Sequence, residues 1–167
     1  IIFNKKLTTM KFILITSFLL ASLQSFTQTN EKYCSKIKMS VDKFEGDTTY
    51  TSPYKSGYLD LVHFIKVNEV VYMSLKAPGS TPNVGKEGVV VLLENGDKIE
   101  KPEAKIDVDV NAAAGYDYTA FFTLDKSDIE KLKASPITDL RLYIYDAKIL
   151  KKKALKYLEY IKCIDAL

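Results

Sequence analysis

The chain has 167 residues, 47% of them apolar and 27% charged, and its 24 basic residues exceed its 21 acidic ones by three. Lys5, Lys6 and Lys11 precede the first acidic residue, Glu31, so the remainder is balanced in charge, and Arg141 is its single arginine. With no net field and one guanidinium it lacks the means to grip phosphates or read guanine, which excludes nucleic acid as a partner.

In chain order, Met10 reads as the start of a secretory signal peptide. Lys11 supplies the positive end, Phe12 to Ala21 the apolar stretch, and Ser25 and Thr27 the small residues before cleavage at Gln28. The apolar stretch is about half of the roughly 20 residues needed to span a bilayer, so no integral membrane segment is expected after cleavage. Cys34 does not follow the stretch directly, as a lipid-attachment cysteine would. Residues 1–27 are thus expected to leave, and residues 28–167 to fold as a single β-rich domain, secreted or periplasmic. That length buries about 68% of its unfolded surface.

From Lys36, Ile37, Met39 and Val41 alternate with Lys38, Ser40 and Asp42, the period of a half-buried strand. Glu45-Gly46-Asp47 turns the chain into Thr48 to Thr51. Tyr58 to Val67 and Val70 to Ala77 form a hairpin about Asn68-Glu69. Pro78 to Asn83, with two prolines and a glycine, is a surface loop that cannot continue a central strand. The strongest signal lies in Gly88 to Lys101. Val89 to Leu93 is apolar on both faces and reads as a central strand, and Asn95-Gly96 suits a two-residue type I′ turn that sets Leu92 opposite Ile99. The return strand Asp97 to Lys101 is mostly charged and is placed near an edge, ended by Pro102.

Ala104 to Asn111 alternates again, Ala112 to Gly115 turns, and Tyr116 to Leu124 is a strand. Asp125 caps a short helix with Asp128 at its third position, and Leu124 packs on Ile129 as a staple, while Pro136 limits the helix. Ile137 to Tyr145 reads as one strand with Arg141, Tyr143 and Tyr145 on one face. A last helix from about Ala147 carries Leu150, Ala154, Tyr157, Ile161 and Ile164 as an apolar stripe, opposite Lys152, Lys156 and Glu159. The order predicts an α+β fold, a mainly antiparallel sheet or sandwich of hairpins with a short helix before the last strand and a C-terminal amphipathic helix. The segments VDKFEGDTTYTSP, GVVVLLENGDKIEK with KIDVDVN, and RLYIYD resemble small exported bacterial proteins of unassigned function. That resemblance implies export and a β-rich fold and carries over no catalytic residue.

Chemistry-bearing residues are few. His63 is the only histidine, it shares a strand face with Leu61 and Ile65, and no Gly-x-Ser-x-Gly accompanies it, so it reads as scaffold facing the core. Ser52-Pro53-Tyr54-Lys55 has Ser-x-x-Lys spacing in a loop context where that chemistry needs a helix. Asp107, Asp109 and Asn111, with Asp117 across the turn, resemble half of a calcium loop. Ala112 and Tyr118 stand where an EF-hand needs glycine and glutamate, which leaves at most a weak extracellular calcium site of another kind. One histidine and two distant cysteines make no zinc site, and no cofactor is implied. Eleven tyrosines without tryptophan can line a groove, and Tyr116 with Tyr118 and Tyr143 with Tyr145 are the candidate binding pairs. Lys148, Lys151, Lys152, Lys153 and Lys156 read as the solvated face of the last helix. Cys34 and Cys163 are expected to form a disulfide that ties the start of the domain to the end of the last helix.

The expectation for function is a non-catalytic exported domain that binds a protein or glycan. Its alternatives are a hydrolytic enzyme without a readable motif and a structural or assembly component of the cell envelope.

Overall fold

The computed structural model describes residues 31–55, 60–111 and 115–167. The segment expected to be a signal peptide, the start of the strand assigned from Tyr58 and most of the turn from Ala112 to Gly115 lie outside these residues. After a helical turn at residues 31–34 (α1) come β1 (Lys38–Val41), β2 (Thr48–Thr51), β3 (Val62–Val67), β4 (Val70–Gly79), β5 (Glu87–Leu93), β6 (Lys98–Val110) and β7 (Tyr116–Thr123). Then follow α2 (Lys126–Ala134), β8 (Ile137–Leu142), β9 (Tyr145–Lys148) and α3 (Lys151–Asp165). The nine strands form one antiparallel sheet in the order β1-β2-β3-β4-β7-β6-β5-β8-β9. The fold is therefore the α+β, mainly antiparallel class expected. No helix among the described residues is long and apolar enough to cross a membrane.

The sheet curls because β6 serves two halves of it. Its first half pairs with β5 and its second half with β7, and the register slips between Val89↔Lys101 and Glu87↔Lys105. Pro102 falls in that slip, where a missing N–H breaks no regular ladder, so it bends the strand without ending it. This corrects two expectations: the strand after Asn95-Gly96 is not an edge, and Pro102 does not stop it. The curl brings β9 against β4, and α3 fills the concave side against β3, β8 and α2. Phe64, Met73, Leu75, Val91, Leu140, Tyr157 and Ile161 are buried there. Each such side chain contributes on the order of 1.5–3 kcal/mol when fully removed from water.

The hairpin register also differs from the expected one. Leu93 N–H donates to Asp97 O at 3.0 Å and Gly96 N–H to Leu93 O at 3.0 Å, so the loop has three residues, with Gly96 at φ 90°. Ile99 then pairs with Val91, not Leu92. Burial explains the choice. Val89, Val91, Leu93 and Ile99 all reach the core, whereas the two-residue turn would have set Ile99 beside the outward Leu92.

The α2 start follows the expected chemistry. Asp125 Oδ1 accepts from Asp128 N–H at 3.0 Å while Asp128 Oδ2 accepts from Asp125 N–H at 3.2 Å, a reciprocal capping box, and the helix ends before Pro136. Four local expectations fail. β4 runs through Pro78 to Gly79, because β3 has already ended on its other side and β7 alone needs pairing. The segment 137–145 is not one strand: Tyr143-Ile144 forms the turn of a β8–β9 hairpin, with Tyr143 at φ 57° in place of the usual glycine or asparagine. Ala147 consequently lies in β9, and Leu150 is an exposed N-cap and not part of the helix stripe. β1 is not half-buried, since all four of its residues are exposed.

Candidate functional site

Of the four candidate tyrosines, the fold joins Tyr118 of β7 to Tyr145 of β9. Their ring centroids are 4.4 Å apart, a contact made by the curl of the sheet and invisible in the spacing of the residues. The pair does not floor a groove. Tyr118 is fully buried; its hydroxyl donates to Thr81 O at 2.5 Å and accepts from Asn83 N–H at 2.7 Å. The Tyr145 hydroxyl meets the Thr81 hydroxyl and accepts from Thr81 N–H at 3.2 Å and Asn83 Nδ2 at 3.3 Å. Hydrogen bonding from the Thr81 side chain, with help from Ser80, Tyr118 and the Thr81 N–H, lowers the Tyr145 pKa to about 8. The two phenols therefore hold the loop after β4. Tyr143 and Tyr145 do not share a strand face, because Tyr143 sits in the turn with the Lys86 ammonium 5.4 Å from its ring centroid. Tyr116 is half-buried opposite Gly79 and Val110.

The acidic set is arranged differently from a cation cage. Asp109 lies directly opposite Asp117 and Asp107 opposite Thr119. Asp117 is already met by donors, Lys76 Nζ at 2.8 Å and Asn111 Nδ2 at 3.2 Å. Among the described residues no three acidic, histidine or cysteine side chains converge.

His63 is on the opposite face from the core. The core-facing positions of β3 are Val62, Phe64 and Lys66, and His63 lies half-buried on the outer side. This corrects the expected core-facing orientation. The periodicity was right and its phase was inverted, since Leu61 and Ile65 are also only half-buried. The imidazole Nε2 donates to Ser52 O at 2.9 Å, and burial lowers its pKa, so the ring is neutral at pH 7. Ser52 Oγ is buried and accepts from Phe64 N–H at 2.9 Å, in irregular chain just after β2 and not at a helix start.

That phase exposes a surface which the sequence reading passed over. Among the described residues no helix packs on the outer face of β2, β3, β4 and β7. His63, Ser74 and Phe121 form one row across it, and Thr51, Ile65, Tyr72 and Thr123 the next. Tyr72 and Phe121 stack at 5.1 Å with rings 8° from parallel, and Tyr54 leans on His63 at 5.1 Å. Phe121 is 53% exposed and Tyr54 45%. An outward face of an antiparallel sheet is ordinarily polar. Here the two rows are aromatic, aliphatic and hydroxylic, bounded on one side by the Lys76–Asp117 ion pair. The signal was present in Val62-His63-Phe64-Ile65 and Phe121-Phe122, where apolar residues occupy both phases of the strand.

Beneath the other side of the sheet a buried carboxylate fixes α3. Asp60 is 1% exposed, and its Oδ1 accepts from Lys153 Nζ at 3.0 Å and Lys156 Nζ at 3.2 Å, with the Tyr157 hydroxyl at 3.4 Å. Its Oδ2 accepts from Lys55 N–H at 3.1 Å. Burial pushes the Asp60 pKa up, but the two lysines more than offset this and hold it below the usual carboxylate value. Burial and the nearby Asp60 charge raise the Tyr157 pKa well above that of a free phenol. At the far end of α3, Cys34 and Cys163 lie at disulfide-bonding distance with Cα atoms 5.2 Å apart, and Tyr33 meets Tyr160 edge-on at 5.8 Å. Cys163 is buried because the 31–37 segment crosses the helix on that side.

No known protein family, curated protein or solved structure matches the chain.

Proposed function

We propose that this chain is an exported, non-catalytic binding domain, secreted or periplasmic, that recognises a partner protein through the open outer face of β2, β3, β4 and β7. The observation that carries the reading is the contiguous outward set Tyr54, His63, Ile65, Tyr72 and Phe121, which no element among the described residues covers. Soluble domains seldom leave such a patch uncovered unless it is used, and aromatic residues with few charges are the composition of an interface centre. The aliphatic Ile65, Val67 and Val70 alongside favour a protein over a glycan, whose hydroxyls call for polar partners. The enzyme alternative has less to support it, because His63 Nε2 is held by a main-chain carbonyl and no hydrogen bond among the described residues joins the ring to the Ser74 hydroxyl opposite it.

The test is a photo-crosslinking amino acid placed at Phe121, with a control at Glu100 on the other half of the sheet, in cells that export the protein. A discrete protein adduct at Phe121, absent at Glu100 and lost on Tyr72→Ser, is expected. Adducts that do not distinguish the two positions, or specific binding to a glycan array that Tyr72→Ser removes, would overturn the reading. Export is checked separately by N-terminal sequencing, with Gln28 as the expected first residue.

A further inference from the structure

We propose that β1 is the docking edge for a second copy of this chain, through antiparallel pairing of β1 with its symmetry mate. The main chain supplies the first reason. Asp42 N–H donates to Asp47 O, and Thr48 O and Ser52 N–H turn toward β3, so the inward groups of β1 are those of Lys38 and Ser40. By the alternation of an antiparallel ladder, the N–H and C=O of Met39 and Val41 point away from the sheet, where no described residue meets them. All four residues of β1 are exposed, including Met39 at 64% and Val41 at 54%, and Phe44 in the adjoining turn is 98% exposed. Edges of this kind are usually blunted or covered because they recruit other strands.

The second reason is that the strand is complementary to itself in one register. Pairing must join outward-pointing residues, and setting Met39 against Val41 of the mate does so on both sides of a two-fold axis through Ser40. The same register puts Lys38 opposite Asp42 of the mate, twice, on the face that bears Ser40. Asp42 uses Oδ1 to accept from Phe44 N–H at 2.7 Å and Glu45 N–H at 3.0 Å, which lowers its pKa and keeps the carboxyl ionised. On the other face Met39, Val41 and Tyr50 of both copies form a continuous apolar strip on the side of the sheet that bears Lys66 and the core. An isologous contact of this kind closes as a dimer and does not propagate. Four residues a side make an interface at the small end of the range, so the dimer is concentration-dependent.

Sedimentation of the disulfide-bonded domain up to about 1 mM is expected to show reversible dimerisation that weakens with salt. Lys38→Glu should raise the dissociation constant at least about tenfold by replacing two attractive pairs with repulsive ones. Val41→Pro deletes an N–H that the monomer does not use, so it should abolish the dimer while the β1–β2 amides keep their exchange protection. Ser40→Cys should form an intermolecular disulfide with its mate, because a non-hydrogen-bonded antiparallel pair sets its Cα atoms at about 4.5 Å. A chain that stays monomeric to about 1 mM, a dimer that survives Val41→Pro, or a dimer in which Ser40→Cys fails to cross-link would each overturn the proposal.

Discussion

Replacing Gly79 by alanine probes the contact that closes the curled sheet. The φ of Gly79 is one that any residue adopts, so the glycine is there for space. A Cβ at this position would stand 2.3 Å from Tyr118 Cε2, 2.7 Å from its Cδ2 and 3.1 Å from Tyr145 Cε2. The shortest of these is more than about 1 Å inside the roughly 3.5 Å optimum for carbon contacts. The Tyr118 ring cannot swing aside, because it is fully buried and its hydroxyl is held by Thr81 O and Asn83 N–H. Overpacking of this kind costs about 1–3 kcal/mol, and the lost flexibility of the unfolded chain returns about 0.4–1 kcal/mol. The net expectation is a loss of about 1–2 kcal/mol, read as a lower urea midpoint at unchanged slope. In a Tyr118→Leu background the alanine should cost almost nothing, since the ring it strikes is gone. Equal or greater stability of Gly79→Ala, or strict additivity with Tyr118→Leu, would refute the argument.

Asp60→Ala should destabilise the domain by about 2–3 kcal/mol at pH 7, below the roughly 3–5 kcal/mol of a fully buried broken pair because the stranded lysines can turn to water. The folded pKa of Asp60 lies below its unfolded value, so its contribution is complete above about pH 5 and fades as pH falls through 3.8 toward the folded value. Denaturation of wild type and variant across pH 2–7 should accordingly converge at the acid end. An alkaline absorbance titration should show one phenol ionising near pH 8, lost in Tyr145→Phe. The depressed pKa adds stability only as pH rises from about 8 toward 10, and a first phenolate at 10 would contradict it. Without reductant the folded domain should yield no alkylatable thiol. Reduction of Cys34–Cys163, separated by 129 residues, should cost up to the roughly 5 kcal/mol of the chain-entropy limit, and two free thiols would refute the pairing.

Local signals were legible wherever one residue type has one physical use. The Asp125–Asp128 box, the stop before Pro136, the Asn68-Glu69 turn and the core strand Val89 to Leu93 could all be read directly. So could the pairing of Cys34 with Cys163, since two cysteines allow only one intramolecular bond. Reading failed where two phases or two partners compete. Asn95-Gly96 fits a two-residue or a three-residue loop, and only the burial of Ile99 against Val91 selects the second. Tyr143-Ile144 carries no turn signal, and Tyr143 accepts a positive φ because β8 and β9 must both reach the sheet.

Order along the chain thus determined the fold class and most of the strands, because hydrophobic period and turn chemistry act over a few residues. Which face of β3 turned outward, whether Pro102 ended a strand or bent one, and which tyrosines met were decided only when the sheet curled around α3. Those choices depend on contacts between residues far apart in the chain, and a period of two residues cannot say which of its two faces will be covered.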